Sequence, residues 1–284
     1  MTFSIPQSDI QTAKALIKSI NLPRVPESLT QLQSELQKEE IDVDKVAEVI
    51  STDINLSGTV LKIVNSAQFG LQHKITSIRQ ATVALGLNVI KNTVLAAALR
   101  NTFAPDTDFQ SDFWDRANAC AQANESLSHS VDGIRADDAF IAGLFQDAGA
   151  LVCEKIHPRY PEVFQHAHSA ITKILEIDRK MFKTTHVALS YVLAKDWNIP
   201  DHVCNVIANS HVLHCDRDNA DIAKERALNA MLKTCNFFVG TTLHPELKVQ
   251  NEGISAFEAS LDELMVDEEV IEDIRQDVIK FLSW

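Results

Sequence analysis

Glycine and proline are scarce, at eight each in 284 residues. Strand-like alternation never persists, which excludes an ordinary β-sandwich or barrel built on frequent turns. Gly58, Gly70 and Gly86 stand isolated, so no glycine-rich phosphate loop is present. Cysteine is confined to Cys120, Cys153, Cys204, Cys215 and Cys235, with no Cys-x-x-Cys pair. That excludes a zinc knuckle or a thioredoxin-like site, and each cysteine reads as a small buried hydrophobe. Basic residues number 26 against 39 acidic ones, a net charge of −13. No Lys/Arg cluster exceeds a dipeptide, so nucleic acid is not an expected partner. Long apolar runs are missing too. The nearest, Gln80 to Leu99, carries Lys91, two Asn and two Thr and reads as buried helix, not as a membrane span. No basic start followed by an apolar segment opens the chain. The expectation is a cytoplasmic protein with reduced thiols and no membrane association.

Helical periodicity is what remains. Ile10, Ala13, Ile17 and Ile20 share a face over 8–20, and Pro23 and Pro26 break that helix. Helices follow over 27–38 and from Ile41, with Asp53 as a helix cap before Leu56 to Val64. Thr76 or Ser77 caps Ile78 to Leu85, Gly86 stops it, and 87–103 continues as a nearly apolar helix. A long helix runs from Phe113 to about Ser130, and others open at Pro158 and Thr184. Helical regions cover 219–240 and 255–282, the latter with Ser255-x-x-Glu258 as a capping box. Val270, Ile274, Val278 and Phe281 form one stripe there. From Glu252 to Trp284, ten acidic residues face two basic ones. This is either a solvated face or a docking surface for a basic partner. The fold class is all-α, a multi-helix bundle.

The stretch 139–151 is apolar nearly all round and is expected as one buried helix. Asp147 is its single charge, and a buried carboxylate must be paired, hydrogen-bonded or ligand-bound. Ala142, Gly143, Ala148 and Gly149 let neighbouring helices come close. Among the histidines, His166 and His168 point to different helix faces. His211 and His214 can share a face, with no partner cluster evident in the sequence. Asn65 and Ser66, just past a helix end, suit the satisfaction of loose backbone groups.

Several motifs fall in register from Leu22 to Gly86: Leu22-Pro23-x-x-Pro26, Ile50-Ser51-x-Asp53, Leu61-Lys62-Ile63-Val64-Asn65-Ser66-Ala67-x-Phe69-Gly70, Ile75-x-Ser77-Ile78-x-Gln80-Ala81 and Ala84-Leu85-Gly86. Together they resemble the HDOD domain, the HD-related output domain of bacterial signalling proteins. One departure is Ile54, where that family commonly has Pro, a residue favoured but not required at a helix start. Gly143-Leu144-Phe145-Gln146-Asp147-Ala148-Gly149 likewise resembles the Gly-Leu-Leu-His-Asp-Ile-Gly signature of HD phosphohydrolases.

The resemblance implies a degenerate metal centre at Arg116, Gln146, Asp147, His186, Ser210 and His211. Arg116, Gln146 and Ser210 stand where that superfamily has histidines. Arginine has no lone pair to offer a cation, and a glutamine carbonyl is a weak ligand for transition metals. No catalytic residue, metal or cofactor is therefore assigned, and Arg116 and Asp147 are expected to meet in the metal's place, directly or through one water. The turn Asn65, Ser66, Phe69, Gly70 is a family hallmark. The expected layout is an N-terminal helical part over 1–105 packed on a degenerate HD-like part over 106–215, with C-terminal helices over 216–284. The implied function is a non-catalytic signalling output domain. Its partner is another protein, or a small nucleotide. The rival is a divalent-metal-dependent phosphohydrolase with an altered ligand set.

Overall fold

The computed structural model describes residues 5–22, 25–65, 71, 73–103, 107–167, 172–212, 222–246 and 249–282, without the side chains of 166–167. No strand occurs among them. The chain divides into two compact units, 22–107 and 1–21 together with 108–283. The first helix groups with the later unit.

The unit 22–107 contains α2 (Glu27–Leu36), α3 (Val43–Ser51), α4 (Ile54–Val64), α5 (Ile78–Leu85) and α6 (Leu87–Phe103). Side-chain caps fix three of the helix starts. Asp42 accepts from the amides of Asp44 and Lys45, Asp53 from Leu56, and Ser77 from Gln80. Each satisfies a backbone N–H that the first turn leaves loose. Gly86 ends α5 with φ at 84°, a conformation glycine adopts without the penalty of a Cβ. Val46, Ile50, Leu56, Val60, Val64 and Ile90 fill the core of this unit. Asn65, just past α4, clamps the chain that returns to α5. Its Nδ2 donates to the carbonyls of Leu61 at 2.7 Å and Ile75 at 2.8 Å, and its Oδ1 accepts from the Ile75 amide at 2.7 Å. Ser66, Phe69 and Gly70 lie outside the described residues.

The second unit contains α1 (Gln7–Ser19) and α7 (Asp108–Ser128), α8 (Ala136–Phe145), α9 (Gly149–Ile156), α10 (Tyr160–Ala167), α11 (Lys173–Phe182), α12 (His186–Asp196), α13 (Asp201–Ala208), α14 (Ala223–Leu243), α15 (Asn251–Leu264) and α16 (Glu268–Leu282). Helix α7 is its spine, packed against α8, α14 and α16. Small residues set the closest approaches. A Cβ on Gly143 would sit 2.7 Å from the Cα of Ala121, so only glycine lets α8 lie directly on α7. Leu144 and Phe145 then bury completely, each contributing about 1.5–3 kcal/mol by burial.

Two expectations fail here. The stretch 139–151 is not one helix: α8 ends at Phe145 and α9 starts at Gly149. At the break, the Gly149 amide donates to Ser190 Oγ of α12 at 2.8 Å, and a Cβ there would lie 2.0 Å from the His186 carbonyl. Contact with α12 thus outweighs continuation of the helix. The Ser255-x-x-Glu258 capping box is also absent, because α15 begins at Asn251 and Ser255 lies inside it. The region 255–282 is further divided at Met265, which takes a left-handed φ of 50°. The stripe on α16 does bury Ile274 and Val278.

Candidate functional site

The break between α8 and α9 positions the chemistry. Gln146 and Asp147 lie in the turn, so their side chains leave the helix pattern and meet residues from α12 and α14. Asp147 is buried, and its Oδ1 lies 3.6 Å from Nε2 of His186. His186 opens α12 behind the Thr185 cap and is wholly buried. Its Nδ1 lies 2.5 Å from Oδ2 of Asp178, which also accepts from the His186 amide at 2.9 Å. Tyr160 Oη donates to the other Asp178 oxygen at 2.9 Å. A row Asp178–His186–Asp147 results, with His211 beside it, its ring 4.8 Å from that of His186.

Charge follows from this packing. Burial works to lower the pKa of His186, but Asp178, then Asp147, outweigh it and raise it to about 9. The same imidazolium outweighs burial at Asp178 and holds that carboxyl below its usual range. His211 is pushed down to about 4, first by burial and then by the neighbouring His186. Cys120 is pushed up to about 12 by burial, and Cys153, Cys204 and Cys235 are also raised by burial. These buried thiols are poor nucleophiles near neutral pH.

Arg116 and Asp147 line one cavity of about 350 Å³, with no direct ion pair between them. The carboxylate is met by His186 instead, an alternative that sequence spacing could not rank. Gln146 is occupied elsewhere. Its Nε2 donates to Asn236 Oδ1 at 2.8 Å, and Asn236 Nδ2 returns a bond to Gln146 Oε1 at 2.5 Å. Cys120 Sγ adds a donor to the same Asn236 oxygen at 2.9 Å. Ser210 is buried beside His211, its Oγ 3.0 Å from that ring's Nδ1. His214 and His168 lie outside the described residues.

Asp178 and Asn236 escaped the sequence reading. A signal existed for the first: Ile174, Asp178 and Phe182 are spaced by four and are the buried residues of α11. A carboxylate on an apolar stripe asks for a buried cation. Asn236 left no comparable mark.

The site can be tested for a metal ion on its donors. Asp147, His186 and His211 offer ligand atoms within 4.8 Å of one another. Their convergence corrects the reading of His211 as lacking a partner cluster. Two imidazoles and a carboxylate match the protein ligand count of a catalytic zinc site, and Asp178 behind His186 is the kind of outer carboxylate that orients such ligands. In the charge state described above, however, Nε2 of His186 carries a proton and faces Asp147.

Comparison with known proteins identifies the family and the fold. The HDOD domain model matches residues 22–213. A crystal structure of an HDOD domain protein from Geobacter sulfurreducens superposes with a TM-score of 0.68 at 20% identity, covering 97% of this chain and 98% of that one. A Shewanella amazonensis protein that carries a provisional phosphohydrolase name gives 0.66 at 20% identity, covering 94% and 98%. At such identities the likeness concerns fold. An uncharacterized protein of Treponema pallidum is 24% identical over 240 residues, 80% of this chain and 44% of its own length. The chain thus spans under half the length of that curated relative. No helix among the described residues is long and apolar enough to cross a membrane. The family model covers well over half of the sequence, and the chain belongs to the HDOD family.

Proposed function

We propose that this protein is a non-catalytic regulatory domain, acting in a signalling pathway through a protein partner or a small ligand. One observation carries the reading. Gln146, at the position of the HD histidine, engages both ends of its amide with Asn236, and a hydrogen-bonded amide oxygen is a weaker ligand for a transition metal than the imidazole it replaces. Two further positions of that ligand set hold Arg116 and Ser210. The row Asp178–His186–Asp147 places a cation between two carboxylates, which supplies internally the positive charge that an ion would bring.

The convergence of Asp147, His186 and His211 favours a second reading, a phosphohydrolase with an altered ligand set. Those three residues would hold the ion, which would supply a Lewis acid that lowers the pKa of a bound water. One experiment separates the readings. The protein is equilibrated with manganese or zinc, desalted, and assayed for metal content and for phosphate release from phosphomonoesters and cyclic dinucleotides. The expected result is no stoichiometric metal and no hydrolysis. About one ion per chain, with hydrolysis lost in His211→Ala, would overturn the regulatory reading.

A further inference from the structure

We infer that the cavity beside Arg116 binds a small organic anion with an apolar or aromatic body, and that Arg116 holds its charge. The inference rests on the regulatory reading and names the ligand class of that same site.

Arg116 lies on α7 with only 8% of its surface exposed. Among the described residues it makes no hydrogen bond and no ion pair, and its Nε is a buried donor without a partner. A guanidinium cannot shed its charge at physiological pH, so burial of this kind asks for an anion or water. Elsewhere in the same unit, a largely buried arginine has its carboxylate: Arg226 Nε lies 2.6 Å from Glu263. Arg116 is the exception, and it borders the cavity.

Access to the guanidinium depends on one missing side chain. Gly240 of α14 lines the same cavity. A Cβ there would approach Arg116 Nη1 at 3.9 Å and would meet nothing else within 4 Å. Any longer side chain would cover the guanidinium.

The remaining walls describe the body of the ligand. Phe109, Phe113, Phe164, Phe237 and Phe257 line the cavity, with Phe237 and Phe257 stacked at 4.1 Å. A concave space of about 350 Å³ that combines five phenylalanines with polar side chains has the form of a small-molecule site. Of the carboxylates in the lining, Asp112 and Asp115 are exposed, so water screens them better than the buried guanidinium, and the buried Asp147 faces the imidazole of His186 at 3.6 Å. A cationic ligand would have to lie against an unpaired arginine. Carboxylate and phosphate both suit a guanidinium fork, and the test distinguishes them.

The full chain, in buffer with EDTA, is titrated calorimetrically with phenyl phosphate, phenylacetate and the neutral benzyl alcohol. At least one anion should bind saturably, about 10- to 100-fold more tightly than the alcohol, the worth of a charge-assisted hydrogen bond. A tenfold preference between the two anions identifies the headgroup, and equal binding supports the shared chemistry. Arg116→Met should erase the anion's advantage and leave benzyl alcohol unchanged. Gly240→Leu keeps the guanidinium, improves helix propensity and should also lose the anion, which preserves the test if Arg116→Met does not fold. Equal affinity for anion and alcohol, undiminished anion binding in either variant, or no saturable binding by any probe would overturn the inference. Phosphate release from phenyl phosphate with manganese would instead overturn the regulatory reading, leaving the anion anchor intact.

Discussion

Replacing Asp178 by asparagine isolates the charge that holds His186 in place. Asparagine keeps the shape of the carboxylate, so the change is chiefly electrostatic. The imidazole of His186 is raised from 6.5 to about 9 against burial, by Asp178 first and Asp147 second. That rise corresponds to about 3 kcal/mol. Its sign fixes the pH window. Unfolded, the ring holds its proton only below about 6.5; folded, it holds it to about 9. Between those values the folded state binds more protons, so stability falls as pH rises. The contribution is complete below pH 6.5 and lost through pH 9. Urea unfolding in EDTA from pH 6 to 9.5 measures it. The unaltered protein should lose about 3 kcal/mol from this group across the window. Asp178→Asn should be less stable at pH 6, lose much of the slope, and close the gap toward pH 9. An unchanged slope in Asp178→Asn, or a His186 ring that titrates near 6.5 by NMR, would refute the assignment of that charge.

Other outcomes follow from the same geometry. His211 is depressed to about 4, so the unfolded state takes up its proton first as pH falls. Stability should therefore drop from pH 6.5 toward 4, and His211→Asn should flatten that acid limb in the same unfolding assay. Gly149→Ala would drive a Cβ to 2.0 Å from the His186 carbonyl; a melting scan should show a loss well above the about 1 kcal/mol typical of point changes, whereas Gly240→Ala should be neutral or stabilising. In a double-mutant cycle, Gln146→Leu and Asn236→Leu should each cost about 1–3 kcal/mol by stranding the other amide, with the double variant less unstable than the sum. Asn65→Ala removes three side-chain hydrogen bonds to backbone, two at Ile75 and one at Leu61, and should cost about 1–3 kcal/mol, read as a lower denaturation midpoint.

Local rules made much of the fold legible. Asp53 and Ser77 are caps in the structure because a short oxygen-bearing side chain at a helix start finds a loose amide whatever surrounds it. Gly86 ends its helix because its backbone freedom is intrinsic. The motifs from Leu22 to Gly86 carried the family. The apolar stretch 139–151, with one carboxylate inside it, marked the site.

Tertiary contact decided the rest. Helical propensity runs smoothly across Gln146 to Ala148, and only the backbone of α12 pressed against Gly149 breaks the helix there. Which cation meets Asp147 was likewise beyond sequence. Arg116 and His186 both fall near the same centre, and a long guanidinium stem is compatible with pairing. The choice went to His186 because Asp178, brought by α11, grips its other nitrogen. Arg116 was thereby left lining a cavity whose walls come from α7, α10, α14 and α15. Spacing along the chain encodes each helix face, but convergence of faces depends on how distant helices pack, and that is a property of the folded unit alone.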